Sequence, residues 1–305
     1  MEPYIATKYS GILKEMSSLL KQVSHYFSLV KFSHTVFAMP FALIGFTLGV
    51  TEGNGEFTFR LLILVILCMV FARNAAMSFN RLADRKIDAL NPRTSSRELP
   101  SGKLNPGAVK AFVVVNAVLF MVTAGFINRL TLILSPLALA VILGYSLTKR
   151  ITALCHLILG LGLSLAPIGA YISVTGRFDI LPLIYSFIVL TWSGGFDIIY
   201  ALQDDNFDRE QDLHSIPSAT GRKKALIISG LLHLITFILV VAAGLSGDGK
   251  ILYWLGACLF TLLLVYQHSI VRPNDLSRVN IAFGTTNGIA SILFALFVIL
   301  EKILL

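Results

Sequence analysis

Nine predominantly apolar stretches divide this chain, at about 32–50, 59–80, 108–128, 131–147, 152–174, 180–200, 224–245, 250–270 and 281–301. A helix needs about 20 apolar residues to cross a bilayer, so each stretch predicts one transmembrane helix. Pro40, Pro136 and Pro167 fall inside three of them; neighbouring helices can satisfy the backbone groups that proline frees. Gly160, Gly162 and Ala166 permit close helix approach. Ahead of the first stretch, residues 1–29 set Ile12, Met16, Leu19, Leu20, Val23 and Phe27 at helical spacing, with Lys14 and Lys21 opposite. That suits a helix lying on the membrane surface, and equally a helix packed on the bundle. Two long polar loops interrupt the pattern, at about 81–107 and 201–223. The expected fold class is all-α, a polytopic membrane bundle forming one domain over 1–305.

Composition agrees with this picture. Of 305 residues, 55% are hydrophobic and 14% charged, where a soluble domain carries about 25% charged residues. The net charge of +8 collects between the apolar stretches. Its positions fit loops at an anionic membrane face, not a nucleic-acid partner. One set of connections holds Lys8, Lys14, Lys21, Lys31, Arg81, Arg85, Lys86, Arg93, Arg97, Lys103, Lys110, Lys149, Arg150, Arg209, Arg222, Lys223, Lys224, Arg272 and Arg278. The other holds Arg60, Arg129, Arg177, Lys250 and Lys302. By the positive-inside rule the first set, with the N-terminus, is cytoplasmic and the C-terminus lies outside. No cleavable signal peptide is expected, because no basic start is followed by a short apolar core. Cys68, Cys155 and Cys258 stand alone inside apolar runs and read as buried small hydrophobes.

The polar residues at the ends of these stretches carry the candidate chemistry. Asn80, Asp84 and Asp88 recur every fourth residue, one face of a helix. Two like charges four apart weaken a free helix; a hard divalent cation would offset the repulsion. Magnesium uses one or two carboxylates plus waters and substrate phosphates. A second acidic run holds Asp197, Asp204, Asp205, Asp208 and Asp212, with the same spacing at 204, 208 and 212. Two such clusters facing each other can hold a diphosphate through Mg2+. Arg73 lies seven residues before Asn80, on the same face and inside the membrane, where an ionisable residue is a functional candidate. Arg93 and Arg97 are guanidinium forks suited to phosphate or carboxylate. Tyr145 and Lys149 sit one turn apart at a helix end, where interface anchoring is the plainer reading. The histidines show no zinc spacing; His34 and His214, near cytoplasmic helix ends, are placed to reach a substrate, and the others read as structural.

Together these residues resemble the UbiA superfamily of intramembrane prenyltransferases. Its first signature, Asn-x3-Asp-x3-Asp, stands as Asn80, Asp84 and Asp88. Its second, Asp-x3-Asp, stands as Asp204 and Asp208, preceded by Tyr200-Ala201-Leu202-Gln203. Its Tyr-x3-Lys stands as Tyr145 and Lys149, and its Arg-Thr-x2-Arg-x-Leu-Pro-Ser-Gly run is Arg93 through Gly102. The stretch Lys31 to Ala42, with His34, and the stretch Asp197 to Pro217 are similar to the 4-hydroxybenzoate polyprenyltransferase branch. That branch also includes menaquinone enzymes of the futalosine route, which prenylate a dihydroxynaphthoate.

The resemblance implies Mg2+-dependent transfer of a polyprenyl group from an allylic diphosphate to a ring carbon of such an aromatic acid. Asp84, Asp88, Asp204 and Asp208, with Asn80, would hold the metal ions. Arg73, Arg97 and Lys149 would hold diphosphate oxygens, and Tyr145 would orient Lys149 or shield the cation. Tyr200 and His34 would contact substrate. The ring proton would leave to Asp197 or to released diphosphate. A prokaryotic inner membrane with a cytoplasm-facing site is the expected location. Other acceptors stay open: haem, chlorophyllide, homogentisate or a glycerol ether lipid. A CDP-alcohol phosphotransferase would need an Asp-Gly-x2-Ala-Arg run that neither acidic stretch contains. A divalent-cation transporter would place acids near the midplane, whereas these sit at helix ends.

The charge segregation generates a first test. A Ser95→Cys label should react from the cytoplasmic side and a Gly247→Cys label from the other, read by an impermeant thiol reagent. Labelling of both from one side would remove the nine-helix topology.

Overall fold

The computed structural model describes residue 16, residues 22–30 and residues 37–305. His34 and the rest of residues 31–36 lie outside the described residues, as do most of residues 1–21.

Among the described residues, eight helices are long and apolar enough to cross a membrane, and a ninth, Met39–Thr51, is a shorter apolar one. This is α1, with Pro40 in its first turn. Helix α2, Phe59–Leu90, runs for 32 residues, or about 48 Å at 1.5 Å per residue. That exceeds the roughly 30 Å hydrocarbon core, so its polar last turns, with Asn80, Asp84 and Asp88, project beyond the apolar part. Asn91, with an extended backbone, ends the helix because Pro92 disfavours helical geometry before it. Helix α3 spans Pro106–Ile127, with Asn105 capping Gly107 N–H at 2.7 Å. Asn128 joins it to α4, Arg129–Thr148: its Oδ1 accepts from Thr131 N at 2.8 Å, and its Nδ2 donates to Ile172 O at 2.8 Å. Ile172 lies in α5, Cys155–Thr175, which ends at Gly176 with φ 68°, a left-handed position that favours glycine.

Helix α6, Ile180–Ala201, ends in a tight turn over Leu202–Asp204. Short helices α7, Asp205–Glu210, and α8, Ile216–Thr220, lead into α9, Arg222–Ser246, and α10, Ile251–Ile270. One wide turn, Ile281–Thr286, precedes α11, Asn287–Leu304. The aromatic core fills the space between α1, α6, α10 and α11, where Phe41, Tyr185, Trp192, Phe196, Tyr253, Phe260 and Phe294 are buried. Gly45 lets α1 cross α5 closely: a Cβ there would stand 2.0 Å from Pro167 O. Exposed apolar side chains such as Phe126, Ile133, Ile238 and Val265 cover the outside, as a lipid-facing surface requires. The chain is thus an integral membrane protein.

Buried polar groups find partners across helices. Trp192 Nε1 donates to Asn287 Oδ1 at 2.9 Å, Asn287 Nδ2 to Gln267 Oε1 at 3.2 Å, and His233 Nδ1 lies 2.8 Å from His268 Nε2. Such bonds fasten helices where no water competes. The last pair was legible only as two isolated histidines.

The alternation of basic connections reappears as packing. Lys302 pairs with Glu52 and donates to Gly247 O at 2.7 Å. Glu301 accepts Lys250 N at 3.0 Å and Tyr253 N at 2.6 Å, and so caps α10. The ends of α1 and α11 and the α9–α10 turn therefore meet at one face, opposite the acidic clusters. Residues 22–29 are helical. Leu29 packs with Leu99, Leu104 and Val109, and the Tyr26 ring lies 4.9 Å from Phe112. This described part of the N-terminal segment packs on the bundle. Cys258, expected buried, is exposed on α10, and Cys68 and Cys155 are half-buried. On a lipid-facing helix a thiol can still sit among apolar groups.

Candidate active site

A cavity of about 740 Å³ opens between α2, α4, α5 and α6. Its polar end is lined by Arg73, Asn80, Asp84, Asp88, Tyr145, Lys149, Asp197, Tyr200, Asp204 and Asp208, with Arg97 from the first loop. Thus the candidates named from the sequence reach one space, except His214 and, outside the described residues, His34. The other end is apolar, with Phe120, Leu134, Leu137 and Phe178.

Asp84, Asp88 and Asp204 each meet a cation from another segment. Asp84, buried at 3% exposure, meets Lys149 Nζ at 2.8 Å and Arg150 Nη2 at 3.0 Å. Asn80 Nδ2 adds a bond to Asp84 at 3.4 Å. Asp88 Oδ1 accepts from Arg97 Nη1 at 2.8 Å, and Thr94 Oγ1 donates to the Asp88 carbonyl at 3.0 Å. Asp204 is forked by Arg93, whose Nε donates to Oδ1 at 2.9 Å and whose Nη2 pairs with Oδ2. Asn91 Nδ2 reaches the same Oδ1 at 3.0 Å, and Arg93 Nη1 donates to the Tyr200 hydroxyl at 2.9 Å. Burial works against the Arg93 charge, but its hydrogen bond to Asp204 raises its pKa above the ordinary guanidinium value. The first loop is thereby fastened onto the end of α6. Tyr200 in turn stacks on Phe283, ring centroids 4.1 Å apart, from the wide turn before α11.

The second acidic run does not continue as one helical face. The tight turn over Leu202–Asp204 interrupts it, so Asp204 and Asp208 enter the cavity while Asp205 turns away. Asp205 is 2% exposed and accepts from Arg222 at 3.0 and 2.8 Å and from Arg209 at 2.7 Å. Asp212 is exposed, with φ 52°. His214, a candidate by position, is exposed and absent from the cavity wall; its backbone N–H donates to Lys149 O at 2.7 Å. His156, read from the sequence as structural, lines the cavity, with Nδ1 2.7 Å from Asp197 Oδ2. No spacing signals that pair, since 41 residues separate the partners. Arg150, a topology signal by sequence, proves to be a partner of Asp84.

The donor set suits a hard cation. Asp88 Oδ2 is buried without a hydrogen-bond partner among the described residues, on the same helix face as Asp84 and Asn80. Among the described residues no three His, Cys, Asp or Glu form a closed metal cage. Oxygen donors in ones and twos, with room for phosphate, match the way Mg2+ is held with its substrate.

A membrane bundle with paired acidic clusters at one end of an apolar cavity defines a class, the intramembrane prenyltransferases. The chain belongs to the UbiA prenyltransferase family, whose profile matches residues 38–297. It is similar to 4-hydroxybenzoate octaprenyltransferase of Yersinia pseudotuberculosis, 32% identical over 249 residues, 79% of this chain and 84% of that one. The enzyme of that name from Tolumonas auensis is 28% identical over 238 residues, 78% and 83% of the two chains. Among solved structures, a UbiA homologue from Aeropyrum pernix superposes with a TM-score of 0.80 at 32% identity, covering 88% of this chain and 98% of the other. A UbiA homologue from Archaeoglobus fulgidus bound to DMAPP and Mg2+ shares the fold, with a TM-score of 0.73 at 20% identity over 92% and 99%.

The split of the second acidic run is testable. Asp205→Ala should lower stability by about 1.5–3 kcal/mol, the range for hydrogen bonds to charged groups. Asp204→Asn, whose carboxylate is 17% exposed and keeps an acceptor for Arg93, should lose less. Equal stability losses in the two variants would contradict the separation of roles.

Proposed function

We propose that the protein transfers a polyprenyl group from an allylic prenyl diphosphate to a ring carbon of a hydroxylated aromatic acid, 4-hydroxybenzoate or a dihydroxynaphthoate. The observation that carries this reading is one cavity whose acidic end joins Asn80, Asp84 and Asp88 to Asp204 and Asp208, and whose other end is apolar. The names of the octaprenyltransferase relatives support the acceptor class. The basic loops support a site facing the cytoplasm of a prokaryotic inner membrane.

Asp84, Asp88, Asp204 and Asp208, with Asn80, would hold Mg2+. When bound, Mg2+ supplies positive charge against which the diphosphate leaving group accumulates its own. Arg97 and Lys149 already stand 2.8 Å from Asp88 and Asp84, so each can bridge a carboxylate and a phosphate oxygen. Arg73, deeper on α2, extends the cationic lining toward the bond that breaks. Fixed charges aimed at the leaving group lower the barrier without reorganisation. Tyr145, on the cavity wall, shields the allylic cation from water. Apolar groups below accept the polyprenyl tail. Tyr200 is held by Arg93 at the acceptor side, and Asp197 stands on the same wall to take the ring proton.

Purified protein given labelled geranyl diphosphate, Mg2+ and an acceptor panel should label 4-hydroxybenzoate or the dihydroxynaphthoate. The panel includes homogentisate and a glycerol ether lipid. Chelator should abolish product, and calcium should substitute poorly because it does not hold tight octahedral geometry. Label on another acceptor alone, or full turnover in chelator, would overturn the reading.

The two clusters should also act as one unit. Asp84→Ala and Asp208→Ala should each remove most turnover, and the double variant should be little worse than either, since residues acting together are strongly non-additive. Asp212→Ala, exposed and outside the cavity, should have a mild effect. Initial rates on folded variants decide; losses that multiply would mean that the clusters work separately.

A further inference from the structure

His156 is the cavity residue that the proposed reaction leaves without a task. It is the second residue of α5 and is 3% exposed. The backbone N–H of Ile216 donates to its Nε2 at 3.3 Å. That group can only donate, so Nε2 accepts, and the proton of the neutral ring sits on Nδ1. Nδ1–H then donates to Asp197 Oδ2 at 2.7 Å. Two bonds thus fix both the tautomer and the direction of the ring. The loop that supplies Ile216 is pinned beside it: His214 N–H donates to Lys149 O at 2.7 Å, and Cys155 Sγ lies 3.4 Å from His214 O.

Asp197 differs from three of the other acids of the cavity. Asp84, Asp88 and Asp204 each accept a charged bond from a Lys or Arg. Asp197 instead meets the His156 ring, with 19% of its side chain exposed on the cavity wall. A carboxylate held at that depth marks a functional site.

We propose that His156 is a positioning residue that presents Asp197 as the base removing the acceptor's ring hydrogen. This deepens, and rests on, the prenyl-transfer reading above. As the C–O bond of the prenyl diphosphate breaks, its electron pair leaves with diphosphate. The ring carbon ortho to the hydroxyl supplies the pair for the new C–C bond, which leaves a cationic ring. Asp197 takes the proton from that carbon, and the C–H pair returns to the ring. The sum is prenylated acceptor, diphosphate and one proton, which Asp197 releases to solvent. No oxidant or reductant is needed.

The test uses full-length protein, saturating geranyl diphosphate, and whichever of 4-hydroxybenzoate and the dihydroxynaphthoate the wild type turns over. The acceptor carries deuterium at the ring carbons ortho to its hydroxyl. Asp197→Asn should lower kcat by about 100- to 10,000-fold, the usual contribution of a general base. It should also expose a primary isotope effect that the wild type lacks, with KM for geranyl diphosphate unchanged. His156→Ala should lose up to about 100-fold through misplacement of the carboxylate, with the same isotope effect. His156→Gln, whose amide offers one donor and one acceptor to the same two partners, should recover most of the rate. Absence of an isotope effect in Asp197→Asn, a nearly isosteric change, would overturn the proposal. So would a His156→Gln variant as slow as His156→Ala. Failure of the wild type to turn over either acceptor would instead overturn the prenyl-transfer reading beneath it.

Discussion

A carboxylate withdrawn from water needs a cation or a set of donors, and among the described residues every buried acid takes at least one partner from another segment. Asp84 and Asp88 on α2 are matched by Lys149 and Arg150 after α4 and by Arg97 in the first loop. Asp204 after α6 is matched by Arg93, and Asp205 by Arg222 at the start of α9. Desolvation makes each pairing obligatory, since losing one partner strands a buried charge. The polar end of the bundle is therefore tied together by its own acids. The two loops that follow α2 and α6 lie where these pairings hold them.

The rest of the bundle divides into two regions. On one side α1, α6, α10 and α11 interlock through large aromatic side chains and the Trp192–Asn287–Gln267 chain of hydrogen bonds. Close packing there makes a rigid wall. On the other side α2, α4 and α5 stand apart and leave the cavity. Helix α6 belongs to both, packing Trp192 into the core and carrying Asp197, Tyr200 and the approach to Asp204. A polar site built on such a wall keeps its geometry at little entropic cost, which electrostatic catalysis requires.

The same charges serve structure and the proposed chemistry. Arg97 and Lys149 hold acids in place, and the proposed reaction gives the same two groups to the diphosphate. The apolar end of the cavity gives a prenyl tail the surroundings of the bilayer it leaves.

Much of this was legible in the chain. Apolar stretches of about 20 residues predict the helices, because a helix satisfies its own backbone in lipid and needs that length to cross. The fourfold spacing of Asn80, Asp84 and Asp88 predicts one helical face, and α2 keeps it. Both results follow from local periodicity. The spacing at Asp204 and Asp208 brings both to the cavity, but it lapses at Asp212, because the short helix ends at Glu210 and Asp212 turns at φ 52°. Only tertiary structure decided which cation meets which acid, and that His156 meets Asp197 and His233 meets His268. Those partners lie on different helices. Sequence periodicity reports the face of a helix, but it carries no information about the rotation and offset at which two helices pack.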